Sequence, residues 1–185
     1  MADTEDLPAL SPVAQRVSLR PLAVTDARQL AQLYTQNREF LAPLEPLRPD
    51  VFYTFEGQRR HIAQLTDRRT AGTAYPFLIM LGGKPVGAIN LSNVVRGAFQ
   101  SANVGYWVAQ EHNGHGVATR ALGLVCERAF AEIGLHRIEA GTLLDNYASQ
   151  RVIEKNGFVR IGIAPRYLQI AGAWSDHILF QKTSD

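Results

Sequence analysis

The chain has 185 residues, 46% of them hydrophobic, and 19 basic side chains against 17 acidic ones leave a net charge of +2. That length suits one domain with a substantial core, and so small a charge makes no electrostatic case for binding nucleic acid or a membrane surface. A single cysteine, Cys126, excludes an intramolecular disulfide, as a reducing compartment predicts.

Residues 1–15, MADTEDLPALSPVAQ, are acidic and carry two prolines. They lack the basic start and apolar middle of a signal peptide and read as a flexible tail before one domain at 16–185. No apolar run approaches the roughly 20 residues that span a bilayer. A soluble, cytoplasmic protein is expected.

A strand, VSLRPL, follows the tail, and Thr25 and Asp26 offer N-cap chemistry for a helix whose Ala27, Leu30, Leu33 and Tyr34 share one face. Three prolines in NREFLAPLEPLRP prevent one continuous helix there. A second helix is predicted from about Thr54 to Arg69. YPFLIML and PVGAINLS read as strands joined by a turn at Gly82-Gly83-Lys84. The polar loop Arg96 to Ser101 leads to a third strand, ANVGYWVA. A long helix then carries Ala118, Ala121, Leu122, Val125 and Ala129 at helical spacing, with Gly134 as its stop and Cys126 as a packing residue. HRIEAGTLL is a strand, and Tyr147 to Lys155 a short helix capped by Asp145 or Asn146. The chain closes on a hairpin of FVRIGIA with RYLQI against WSDHILFQK. The order β-α-α-β-β-β-α-β-α-β-β gives an α/β domain.

The stretch richest in chemistry is GYWVA running through QEHNGHG into a helix. A glycine-bearing loop entering a helix N-terminus leaves backbone N–H groups unpaired beside the positive end of the helix dipole, which suits an anion. Taken alone, two glycines also fit an ordinary strand-to-helix turn. The dinucleotide pattern G-x-G-x-x-G would need glycine at Thr119, and G-x-x-x-x-G-K-[ST] is absent. One strand later, DNYASQRVIEKNGF reads as a capped helix ended by Asn156-Gly157.

Together these two stretches resemble the GNAT superfamily of acyl-CoA N-acyltransferases. Its loop pattern [QR]-x-x-G-x-[GA] is met by Asn113-Gly114-His115-Gly116-Val117-Ala118, with Asn113 in place of Gln or Arg. Its downstream pattern is matched at Asn146, Ser149, Glu154, Lys155, Gly157 and Phe158. NREFLAPLEP, GYWV, VATRAL and YLQIAGAWSDHILF narrow the likeness to the RimJ/RimL type, which acetylates N-termini of ribosomal proteins. The resemblance spans roughly residues 17 to 181.

That resemblance implies a single-domain, mixed, twisted sheet flanked by helices, its two central parallel strands splayed apart to admit acetyl-CoA. It implies acetyl-CoA as co-substrate, no metal, and a protein N-terminus as acceptor. The backbone of Asn113, Gly114, His115, Gly116, Val117, Ala118 and Thr119 would take the diphosphate. Tyr106 and Val108 would offer backbone groups to the pantetheine arm, Val108 N–H also facing the thioester carbonyl, and Asn146 would add a side-chain contact. Many members carry a tyrosine seven residues after Asn146 to protonate the leaving thiolate. That position is Ile153 here, and Ser149 is the substitute. The strand position that often holds a glutamate base is Asn103, which leaves Glu111, His112, Glu139 and His177, or a base acting through water, as candidates.

The acceptor wall falls to Asn37–Pro46 and to the Arg96–Ser101 loop, with Tyr53, Phe55 and Trp174 as candidate lining. Pro165-Arg166 replaces the basic–acidic pair expected of the ribosomal branch, so a small-molecule amine is the alternative acceptor. A non-catalytic acyl-CoA sensor is the alternative to an enzyme. Exposed edge strands leave both monomer and homodimer open.

Overall fold

The structure, a computed structural model, describes residues 12–184. Of the expected tail, residues 1–11 lie outside the described residues, while Pro12–Gln15 (α1) form one helical turn with Ala14 buried. There follow β1 (Val17–Pro21), α2 (Ala27–Gln36), the single turn α3 (Arg38–Leu41), α4 (Phe55–Thr70), β2 (Tyr75–Leu81), β3 (Lys84–Val95) and β4 (Ser101–Val108). The second half comprises α5 (Val117–Ala131), β5 (Arg137–Leu143), α6 (Tyr147–Lys155), β6 (Val159–Ile170) and β7 (Ala173–Thr183). The strands make one seven-stranded sheet in the order β1-β2-β3-β4-β5-β7-β6, the mixed α/β architecture expected.

Local chemistry accounts for most boundaries. Gly82 and Gly83 both take positive φ (56° and 84°), the backbone that a two-residue hairpin turn needs, so β3 begins one residue earlier than expected, at Lys84. Thr54 caps α4 by accepting from Gly57 N–H at 3.1 Å. The expected capping by Asp26 does not occur. Its carboxylate turns back to Ala23 N–H (2.9 Å) and to the Arg20 guanidinium (2.7 Å), because Val24–Asp26 form a 3-10 turn ahead of α2. In the proline-bearing stretch only α3 and a second 3-10 turn, Asp50–Tyr53, are helical.

Alternate residues of β2 serve two cores, since successive strand side chains face opposite ways. Phe77 and Ile79 join β3, β4, β5 and α5 in the larger core, around Ile89, Leu91, Leu122, Val125, Ile138 and Phe180. Leu78 faces α2 and α4 with Leu22, Leu30, Tyr34, Phe52 and Ile62. Cys126 packs in the larger core at 2% exposure, and burial pushes its thiol up to about 12, so it stays an uncharged packing group.

The feature that positions a site is the β4–β5 pair. These are the only parallel neighbours among the described strands, and they pair at just Ser101↔Arg137, Ala102↔Ile138 and Asn103↔Glu139. Both strands run on, β4 to Val108 and β5 to Leu143, without pairing further. The sheet is therefore split by a wedge between the far halves of its two central strands.

Candidate active site

The wedge exposes one edge of β4. Ala109 N–H donates to Val86 O on β3 at 2.8 Å, and Trp107 pairs with Ala88. Peptide groups alternate sides along a strand, so the N–H groups of Tyr106 and Val108 point away from β3, toward the side that β5 has left. Two donors two residues apart line that edge and can hold a chain of carbonyl acceptors.

At the top of the wedge β4 leads through a 3-10 turn at Gln110–His112 into α5. Gly114 and Gly116 adopt φ of 79° and 80°, a left-handed backbone that disfavours any side chain. A Cβ at Gly114 would meet nothing within 4 Å, so conformation rather than crowding requires glycine there. Gly116 occupies the N-cap of α5 without a side-chain cap, and the first turn carries no acidic residue. The first backbone bond of the helix runs from Arg120 N–H to Gly116 O. The N–H groups of Val117, Ala118 and Thr119 precede it and are left for an anion.

Beside this loop, Asn146 caps α6 by accepting from Ser149 N–H at 3.1 Å. Ser149 Oγ lies 3.0 Å from the hydroxyl of Tyr106, whose side chain crosses from β4 to α6. Burial pushes the Tyr106 hydroxyl up to about 12, the Ser149 bond acting in the opposite direction, so Tyr106 is protonated at any ordinary pH. The family resemblance implies a backbone part only for Tyr106. Its side-chain partnership is invisible without the distance between residues 43 apart.

A cavity of about 840 Å³ gathers these groups. Its wall includes Tyr106, Val108, Asn113, Gly114, Gly116, Val117, Ala118, Thr119, Asn146 and Ser149. His115 is the expected residue outside it, with an exposed side chain. Of the four candidate bases, His112 and His177 line the cavity, while Glu111 and Glu139 do not. His177 is 3% exposed, and its Nδ1 lies 3.0 Å from Ser175 O. A carbonyl can only accept, so Nδ1 carries the hydrogen, and in the neutral ring the lone pair is then on Nε2.

The aromatic wall differs from expectation. Tyr53, Phe55 and Trp174 lie outside the cavity, as does the Arg96–Ser101 loop. Tyr34, Phe40 and Trp107 line it instead. Tyr34 and Trp107 stack at 4.5 Å and share a bond from Trp107 Nε1 to the Tyr34 hydroxyl at 2.9 Å. Phe55 and Trp174 are exposed at 40% and 57%, turned out by the registers of α4 and β7. Of the expected segment Asn37–Pro46, residues Phe40, Leu41, Leu44 and Glu45 do line the wall.

A family profile described as Acetyltransferase (GNAT) domain matches residues 16–159, which include the wedge, the glycine loop and α6. The chain belongs to the GNAT acetyltransferase family. It is thus an acyl-CoA-dependent N-acetyltransferase. The "Probable N-acetyltransferase YjcK" of Bacillus subtilis (strain 168) is 41% identical over 163 residues, covering 87% of this chain and 90% of that protein. The ribosomal protein uS5-alanine N-acetyltransferase of Escherichia coli (strain K12) is 30% identical, covering 97% and 93%. Among solved structures, Mycobacterium smegmatis RimJ in complex with CoA-disulfide superposes with a TM-score of 0.88 at 35% identity, over 91% of this chain and 82% of that one. In this GNAT chain no cluster of three or more His, Cys, Asp or Glu able to hold a metal occurs among the described residues, and none of their helices is long and apolar enough to cross a membrane.

Proposed function

We propose that this acetyltransferase moves the acetyl group of acetyl-CoA to the α-amine of a protein N-terminus in the cytoplasm. The observation that carries the reading is the wedge, where strand N–H donors, an uncapped helix N-terminus and a hydroxyl pair converge on one cavity. The full-length likeness to an alanine N-acetyltransferase acting on ribosomal protein uS5 supports the choice of acceptor.

In this reading the backbone from Asn113 to Thr119 takes the diphosphate, and Tyr106 N–H with Val108 N–H takes the pantetheine arm. Val108 N–H also steadies the negative charge that grows on the thioester oxygen. The neutral amine attacks the carbonyl carbon, the tetrahedral adduct collapses, and the carbon–sulfur bond breaks. Ser149 Oγ–H protonates the departing thiolate, and the Tyr106 hydroxyl holds that oxygen in place. His177 Nε2 accepts the proton that the amine loses, and that proton returns through solvent to the Ser149 oxygen, so amine and thioester leave as amide and free thiol with both side chains restored. Holding the two reactants in line supplies on the order of 7–11 kcal/mol of the acceleration.

The test is CoA release from acetyl-CoA with peptides beginning with Ala, Ser or Met, set beside small amines. Turnover with free peptide N-termini alone supports the reading. Turnover with small amines alone replaces the acceptor, and acetyl-CoA binding with no turnover across the panel points to a sensor.

A further inference from the structure

Buried polar atoms are nearly always hydrogen-bonded, so exceptions mark places that something else completes. Among the described residues four buried side-chain atoms lack a partner: Glu45 Oε1, Arg48 Nε, Gln58 Oε1 and Asn90 Oδ1. Glu45, Arg48 and Asn90 all belong to the wall of the large cavity.

The cavity reaches both faces of the sheet. Tyr106 packs with the larger core on the α5 and α6 side, whereas Trp107 packs with the α2 and α4 side. The diphosphate loop and Ser149 belong to the first side, which leaves the second as the entry for the amine. Glu45 and Arg48 stand on that second side. Arg48 lies 4.6 Å from the ring centroid of Phe52, and Glu45 acts electrostatically on Tyr34, the partner of Trp107.

The Glu45 side chain is 16% exposed and its place is fixed. Its backbone carbonyl accepts from Ala171 N–H at 3.0 Å, tying the segment to the β6–β7 turn. Its nearest cation is Arg48, whose Nε stands 3.5 Å from Oε2, beyond the range of a good hydrogen bond. Burial pushes the Glu45 carboxyl up, and Arg48 pulls it down. A carboxylate so placed gains from a second cationic donor. An acceptor amine, before it gives up its proton, is one, with up to three N–H donors.

We infer that Glu45, steadied by Arg48, receives the protonated amine of the acceptor and selects for it before transfer. This rests on the reading above only in taking the α2–α4 face as the acceptor side. Glu45 is a specificity residue that touches substrate, distinct from the groups that handle acetyl-CoA.

The test uses the full-length protein loaded with CoA, and calorimetry with a hexapeptide amide beginning with alanine and with the same peptide N-acetylated. The wild type binds the free amine about 10-fold more tightly than its acetylated form, the scale of one hydrogen bond to a charged group. Glu45→Gln erases that preference by weakening the free amine alone, and acetyl-CoA affinity stays as in the wild type. Glu45→Asp, the second variant should the first not fold, retains only part of the preference. An undiminished preference in the variants, no preference or no binding in the wild type, or an equal loss for both peptides overturns the inference. Binding is read without turnover. A wild type that holds the free amine but releases no CoA with it sinks the N-terminal acetylation reading and leaves Glu45 in place.

Discussion

Asn37 is tied to Gln110 across the fold: its Oδ1 accepts from Gln110 N–H at 2.8 Å while its Nδ2 donates to Leu33 O at 2.9 Å. One buried amide thus clamps the α2–α3 junction to the connection between β4 and α5. Asn37→Ala leaves the Gln110 N–H without its partner, at a cost of about 1–3 kcal/mol. The expected result is a lower Tm with KM raised for both acetyl-CoA and acceptor. Asn37→Asp keeps an acceptor for Gln110 and recovers part of the loss. A rise confined to one substrate would contradict the clamp.

The N–H of residue 108 can be removed by proline, which also replaces the buried Val108 side chain. That N–H points away from β3, so proline at 108 spares the β3–β4 ladder. Val108→Pro is expected to lower kcat by about 10²-fold, the scale of one lost oxyanion donor. Tm is expected to fall as well, because the Val108 side chain is buried, so kcat is read from CoA release at a temperature where a melting curve shows the variant folded.

Ser149 and Tyr106 should fall unequally. Ser149→Ala removes the proposed proton donor and is expected to lower kcat by about 10²-fold, with KM for acetyl-CoA nearly unchanged. Tyr106→Phe removes the hydroxyl's contacts with Ser149 Oγ and Ser149 O and should lower kcat by at most about 10-fold. Equal losses, or a loss at Tyr106 alone, would reassign the proton to the tyrosine.

His177 and His112 both line the cavity, but their settings differ. His177 is fixed by Ser175 O and by the Tyr167 ring at 5.6 Å, whereas His112 sits beside the exposed Glu111. His177→Gln should lower kcat by about 10²-fold, and His112→Gln should leave it near the wild-type value. The reverse pattern would move the base to His112.

Alkaline pH should unfold the protein early. Burial raises Tyr34, Tyr106 and Cys126, each to about 12, from ordinary values of 10, 10 and 9. The folded state then holds protons that the unfolded chain has already released, and stability falls as pH climbs from about 9 toward 12. Below pH 9 all three contributions are fully present. Melting curves should show Tm dropping across this window, and Cys126→Ala should flatten its lower end.

Much of this could be read from the residues alone, and for definite reasons. Gly114 and Gly116 announce a left-handed backbone at a helix start, and Asn146 announces a cap. Chemistry of that kind is local, so spacing reveals it. The Tyr106–Ser149 pair and the Glu45–Ala171 tie join residues far apart in the chain, and only the folded arrangement brings them together. Tyr53, Phe55 and Trp174 were natural choices by composition. Which face of an element an aromatic takes depends on register, however, and register gave the wall to Tyr34 and Trp107. Asp26 is readable as a cap, but the 3-10 turn at Val24–Asp26 sends its carboxylate back to Ala23 N–H and Arg20.

The short seam between β4 and β5 has a mechanical side. Three residue pairs stitch a four-strand half-sheet to a three-strand half-sheet, with Asn156 lacing α6 to α5 through Thr119 O at 3.1 Å. A ligand that bonds along the open edge of β4 acts as a filler strand and lengthens the stitching without any movement of the chain. Acetyl-CoA should then slow amide hydrogen exchange across the whole seam, on β5 as well as on β4, and the finished reaction should loosen the same fabric as the product leaves.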